Sequence, residues 1–222
     1  MNTALIIGAS RGIGLEFVRQ YAAAGVEVVG TARDDEGLQR IAQAGGDALQ
    51  FDALTDDPRV LTDTCGAKLH LCVINAGVYG PRAGMGDAIA QEDFDTTMRT
   101  NVLVAMRLIP SVATSLVAGR GKLVTISSRM GSIGERTSAN GTVYRASKAA
   151  LNSVLKDASI TYGAKGVVCF TAHPGWVRTD MGGAEADLSV EQSVSGLRRV
   201  IADADAGDNG HFINFDGSKI AW

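Results

Sequence analysis

The chain has 222 residues, 45% of them hydrophobic and 20% charged, and carries a formal net charge of −3. That is the balance of one globular domain, large enough to bury roughly 70–75% of its unfolded surface. Its 21 basic side chains are dispersed, which argues against a nucleic-acid partner. Its longest apolar runs are strand-sized, which argues against a membrane span. Met1-Asn2 leads straight into Ala4-Leu5-Ile6-Ile7 with no basic region or cleavage site, so no signal peptide is expected. Cys65, Cys72 and Cys169 lack metal-ligand spacing, and their odd number speaks against a disulfide framework. The expectation is a metal-free protein of the reducing cytoplasm.

Short β-branched apolar runs alternate with longer helical patterns. Predicted strands span Thr3–Ile7, Val26–Ala32, Ala48–Asp52, Leu69–Asn75, Lys122–Ser127, Gly166–Ala172 and His211–Asn214. Predicted helices lie between them at Ile13–Ala24, Asp34–Ala44, Asp57–Cys65, Gln91–Val117, Val143–Tyr162 and Val190–Ala204. Strands apolar on both faces and separated by helices imply a parallel sheet covered on both sides. The predicted fold class is therefore α/β, a doubly wound parallel sheet of about seven strands in a single domain over residues 1–222. Such sheets bind ligands at the carboxyl ends of their strands. Two irregular stretches, Gly131–Thr142 and Trp176–Ser189, each follow a strand end and are expected to shape a substrate pocket.

The first predicted strand runs into Gly8-Ala9-Ser10-Arg11-Gly12-Ile13-Gly14 and then a helix. Glycines there permit a sharp turn and let phosphate approach backbone N–H groups at a positive helix end. The spacing is G-x-x-x-G-x-G, one residue longer between its first two glycines than the familiar G-x-G-x-x-G. Between a first strand and a first helix it points to a dinucleotide. The second predicted strand ends at Ala32-Arg33, where a site for NAD usually carries an acid. Arg33, with Arg11 as a second cation and Ser10 as a hydroxyl donor, favours a 2′-phosphate, hence NADP(H) over NAD(H). Asp34 and Asp35 follow at once, and a shifted register would present a carboxylate instead.

Tyr144 and Lys148 lie four residues apart in a segment of helical composition, which stacks them one turn apart on one face. Tyrosine titrates near ~10, and bringing it to ~7 needs about 4 kcal/mol of preference for the phenolate. One positive charge at ~4 Å supplies about that amount at an effective dielectric of ~20. The spacing thus predicts a phenol whose pKa Lys148 lowers, able to donate a proton near neutral pH.

In chain order, the glycine loop, Asp52, Asn75-Ala76-Gly77, Asn101, Ser127-Ser128, Tyr144-x-x-x-Lys148 and Pro174-Gly175 resemble the short-chain dehydrogenase/reductase family, a Rossmann-fold family. The resemblance covers nearly the whole chain. The run His173–Gly183 and the tail His211–Trp222 look like the C-factor and sniffer-type carbonyl reductases within it. The resemblance implies Tyr144 as general acid/base, with Lys148 lowering its pKa and bonding the nicotinamide ribose. It implies Ser128, rather than Ser127, at the substrate oxygen, and Asn101 holding a water that links Lys148 to solvent. Around the dinucleotide it implies Gly8, Ser10, Arg11, Gly12, Ile13, Gly14 and Arg33, with Asp52 and Ala53 flanking the adenine. Asn75, Ala76 and Gly77 would run beside the adenosine ribose, and Pro174, Gly175, Val177 and Thr179 would embrace the nicotinamide.

Four features depart from the family pattern. Ile7 and Ile74 stand where a hydroxyl residue and an asparagine are common. The interval from Ser128 to Tyr144 is long, so Glu135–Gly141 reads as an inserted loop at the pocket mouth. The stretch after Thr179 is short, which suggests an open site or one completed by a neighbouring subunit. The activity implied is NADPH-dependent reduction of a small carbonyl substrate, or the reverse alcohol oxidation. The alternative is a C-factor-like regulatory protein that binds the dinucleotide with little or no turnover. A sugar-nucleotide epimerase is disfavoured because no length remains for a second domain. Met130, Ile133, Trp176 and Met181 are candidates either for an apolar pocket or for the core, and His70, His173 and His211 for packing. A homodimer or homotetramer through Gln91–Val117 and Val143–Tyr162 is expected from family habit.

Overall fold

The computed structural model describes residues 2–222. Its strands are β1 (Thr3–Ile7), β2 (Glu27–Ala32), β3 (Asp47–Gln50), β4 (Leu71–Ile74), β5 (Lys122–Ile126), β6 (Val168–His173) and β7 (Phe212–Asn214). They form one parallel sheet in the order β3-β2-β1-β4-β5-β6-β7. The helices are α1 (Gly12–Ala23), α2 (Asp35–Gln43), α3 (Arg59–Cys65), α4 (Gln91–Met98), α5 (Val104–Gly119), α6 (Thr142–Gly163) and α7 (Val190–Asp203).

Apolar residues on both faces of each central strand divide between two cores. Ala4 and Ile6 of β1, Leu71 and Val73 of β4 and Val124 and Ile126 of β5 pack with Phe17 of α1, Ile41 of α2 and Leu197 of α7. Their neighbours Leu5, Ile7, Cys72, Ile74 and Leu123 pack on the other face with Leu61 of α3, Leu108 of α5 and Leu155 of α6. Side chains alternate faces along a strand, so a continuous apolar run feeds both layers. The predicted doubly wound sheet is the observed one. After β3 the chain crosses back to set β4 on the other side of β1, and the crevice opened there is the usual ligand site of such sheets.

Two expectations need correction. The predicted helix Gln91–Val117 is interrupted by a π turn at Arg99–Leu103, which separates α4 from α5. One extra residue per turn re-aims the side chains, and Asn101 sits inside that turn. The apolar runs also do not stop at strand length. Gln91–Gly119 is long and apolar enough to cross a membrane by length and composition. Half of its apolar window is buried inside the protein, where Leu108, Val112 and Leu116 join the core, so its apolarity has a packing cause.

Candidate active site

Gly8, Asn75, Ser128 and Pro174 follow the carboxyl ends of β1, β4, β5 and β6, Arg33 and Asp52 follow β2 and β3, and Asn101, Tyr144 and Lys148 lie on helical turns. Gly8 leaves β1 with φ of +81°, and a Cβ there would lie 2.9 Å from the Ala76 backbone. Only glycine permits that turn and that approach. Asn75 ties the two strand ends by donating from Nδ2 to the Gly8 carbonyl at 2.8 Å, and the N–H groups of Asn75 and Ala76 both reach the Ile7 carbonyl at 3.0 Å. The N-terminus of α1 carries no side-chain cap, which leaves its first N–H groups for an anion. Arg33 is exposed and forms no ion pair among the described residues. Asp34, the possible competing carboxylate, accepts from the Gly37 N–H at 2.7 Å as the cap of α2. Asp52 turns back on its own loop, with Oδ1 accepting from the Leu54 N–H at 2.9 Å, and the Ala53 carbonyl accepts from Arg107 at 2.8 Å.

The loop after β6 folds over the glycine loop. The Thr179 methyl lies 3.5 Å from where a Cβ on Gly12 would stand, and Arg11 pairs with Asp180. Val177 is buried and bridges to Leu188, and the Pro174 carbonyl accepts from Ser193 at 2.6 Å. Ser127 faces inward, 2% exposed, with its hydroxyl 3.5 Å from the Lys148 carbonyl. Ser128 is partly exposed and its Oγ accepts from the Met130 N–H at 3.2 Å, capping a short 3-10 turn. Both serines lie just beyond β5, one buried and the other partly exposed.

Tyr144 and Lys148 lie on α6, 6% and 4% exposed, with Nζ 5.7 Å from the centre of the phenol ring. Their ionisation corrects the expectation from spacing. The Tyr144 pKa is pushed up to about 12, chiefly by burial; Ser128 pulls it down and Tyr79 pushes it up. Burial brings Lys148 down to about 8, and its Nζ donates to the Ile126 carbonyl at 3.0 Å. Low-dielectric surroundings disfavour both charged forms. In this state Tyr144 keeps its proton.

Asn101 is 2% exposed and committed to protein partners. Its Oδ1 accepts from the Val78 N–H at 2.8 Å, while Nδ2 donates to the Val78 carbonyl at 2.8 Å and to Ser147 Oγ at 2.9 Å. A Cβ on Gly77 would stand 3.2 Å from Asn101 Oδ1 and 3.3 Å from Lys148 Nζ, so the two groups flank one narrow space that glycine leaves free.

Sequence reasoning missed three residues. Tyr79 stacks on Tyr144 with ring centres 4.5 Å apart and planes 18° apart, and Arg82 lies over its ring at 5.1 Å. The position of Tyr79, two residues beyond Gly77, was the signal that could have found it. Arg145, 7% exposed, donates to the Asn140 carbonyl at 2.7 Å, to Asn140 Oδ1 at 2.9 Å and to Ser138 Oγ at 2.6 Å. It thereby holds the inserted loop, and the Thr142 N–H joins that loop to the segment after β4 through the Ala83 carbonyl at 3.1 Å. Ile133, Trp176 and Met181 are 69%, 52% and 41% exposed, so none of these three is a core residue. A cavity of about 260 Å³ adjoins the carboxyl ends of β6 and β7, lined by Arg129, His173, Trp176 and Asn214. Burial holds His173 down to about 4, a neutral imidazole at pH 7.

The short chain dehydrogenase family model matches residues 2–188. The C-signal protein of Myxococcus xanthus is 35% identical over 162 residues, 72% of this chain and 97% of its own length. Among solved structures, the carbonyl reductase Sniffer of D. melanogaster superposes with a TM-score of 0.90 at 30% identity, covering 100% of both chains. The NADPH-bound carbonyl reductase from chicken fatty liver does so with 0.90 at 28%, covering 100% of this chain and 99% of its own. With the sheet order, the glycine loop and the Tyr144–Lys148 helix in agreement, the chain belongs to the short-chain dehydrogenase family.

Proposed function

We propose that the protein reduces a small, largely apolar carbonyl compound with NADPH, using Tyr144 as the proton donor. The observation that carries this reading is the meeting of Tyr144, Lys148, Ser128 and Asn101 with an uncapped, glycine-lined helix terminus at one set of strand ends. The exposed Ile133, Trp176 and Met181 on the two loops beside it favour an apolar substrate. Likeness to NADPH-bound carbonyl reductase supports the cofactor.

The residues present fit a phosphorylated dinucleotide. Gly8, Ser10, Gly12, Ile13 and Gly14 would receive the pyrophosphate, and Arg11 and Arg33 the 2′-phosphate. Asp52 and Ala53 would flank the adenine, Asn75, Ala76 and Gly77 its ribose, and Pro174, Gly175, Val177 and Thr179 the nicotinamide. When bound, NADPH supplies the hydride. Ser128 and Tyr144 stabilise the substrate oxygen as negative charge grows on it, and Tyr144 releases its proton to that oxygen. Lys148 stabilises the phenolate left behind, and Asn101 holds the helix turn on which this arrangement rests.

Tyr144→Phe is expected to lower kcat by about 10³-fold or more while NADPH binding changes by less than about twofold. Assays over aldehydes, ketones and quinones, followed by NADPH absorbance, check this; turnover at the wild-type level refutes the mechanism. Arg33→Asp should raise the KM for NADPH about tenfold more than that for NADH. Equal changes would remove the proposed cofactor preference. A regulatory, dinucleotide-binding role is the second reading, kept because C-signal is among the relatives. Silence across the whole panel, with NADPH still bound, would select it.

A further inference from the structure

We propose that Tyr79 is a positioning residue for Tyr144, its ring fixing the plane and reach of the phenol that meets the substrate. This rests on the reductase reading given above. Four groups form a column in which Arg82 lies over Tyr79 at 5.1 Å, Tyr79 on Tyr144 at 4.5 Å, and Lys148 over Tyr144 at 5.7 Å. Both rings hang from one buried circuit of hydrogen bonds. Asn101 holds the N–H and the carbonyl of Val78, the residue before Tyr79, at 2.8 Å each. The same Asn101 donates to Ser147 at 2.9 Å, and Ser147 donates to the Tyr144 carbonyl at 2.8 Å. A single side chain in the π turn therefore links the segment that leads into Tyr79 with the turn of α6 that carries Tyr144.

The outer end of Tyr79 is enclosed as well. Its hydroxyl lies 4.0 Å from Met130 Sδ, and a Cβ on Gly141 would stand 2.7 Å from it. A ring so held has little freedom to slide, and a stacked partner shares that restriction. Displacement of a reacting group by about 1 Å costs on the order of 10²-fold in rate, so a held phenol matters to turnover more than to affinity. The Tyr79 ring covers one face of Tyr144, and its charge interaction adds a smaller upward push to the Tyr144 pKa than burial does.

The test compares Tyr79→Phe, Tyr79→Leu and Tyr144→Phe in the full chain with saturating NADPH. Tyr79→Leu is expected to lower kcat about 10- to 100-fold with little change in KM or NADPH affinity. Tyr79→Phe, which keeps the ring, should recover most of that loss. Reduction needs the protonated phenol, so its rate falls as pH rises through the Tyr144 pKa; in Tyr79→Leu that fall should move to lower pH. Tyrosinate absorbance reads the same shift without turnover, with Tyr144→Phe subtracted from the wild type and Tyr79→Leu/Tyr144→Phe subtracted from Tyr79→Leu. Wild-type kcat and an unmoved titration in Tyr79→Leu overturn the proposal, even if its Tm drops. Full turnover in Tyr144→Phe would instead overturn the reductase mechanism itself.

Discussion

At Lys148 the cost and the use of burial meet in one side chain. It is 4% exposed, and its ammonium sits in surroundings that bring its pKa from 10.5 down to about 8. Between these values the unfolded chain binds more protons than the folded one, so stability rises with pH across that window and the full penalty applies below about 8. Lys148→Met is therefore expected to abolish turnover yet raise Tm at pH 7 by roughly 3–6 °C, a gain that shrinks as pH approaches the unfolded value. Calorimetry at several pH values measures it, and a lower Tm at pH 7 would show that the bond to Ile126 outweighs desolvation. The pairing of Tyr144 with Lys148 was legible because helix spacing is local. The direction of their pKa shifts was not, because desolvation depends on everything packed around them.

The π turn Arg99–Leu103 shows how an element can serve a site without touching the substrate. It brings Asn101 inward to Val78 and Ser147, joining α5 to the end of β4 and to α6. Asn101→Ala would leave the Val78 N–H and carbonyl unpaired and is expected to cost about 2–4 kcal/mol in urea unfolding, beside any loss of activity. The loop after Ser128 depends on Arg145, whose guanidinium binds Ser138 and Asn140. Arg145→Met should speed amide hydrogen exchange across residues 135–141 while leaving the sheet protected. Unchanged exchange there would mean that the contact with Ala83 holds the loop unaided. The inserted loop was visible in the sequence as an interval; its clamp was not, since a buried arginine in an amphipathic helix reads as an ordinary surface residue.

Across the whole molecule, alternation of strands and helices specified the seven-stranded parallel sheet. Phe94, Met106 and Ile160 are left 44%, 55% and 67% exposed on α4, α5 and α6. These are the segments expected to join subunits, and we propose that these exposed side chains take part in self-association. Met106→Glu with Ile160→Glu is expected to reduce the mass measured by light scattering to that of a single chain. An unchanged mass would move the interface elsewhere or deny it.

By itself the sequence determined the layered α/β class, the glycine-lined turn into the first helix, and the one-turn spacing of Tyr144 and Lys148. Each of these follows from short-range periodicity or from steric needs written into a few adjacent residues. Only the tertiary structure decided that Asn101 occupies a π turn, that Tyr79 stacks on Tyr144, and that the phenol and ammonium are shifted toward neutrality. Those outcomes depend on contacts between residues far apart in the chain and on the dielectric that packing creates, which spacing along the chain does not encode.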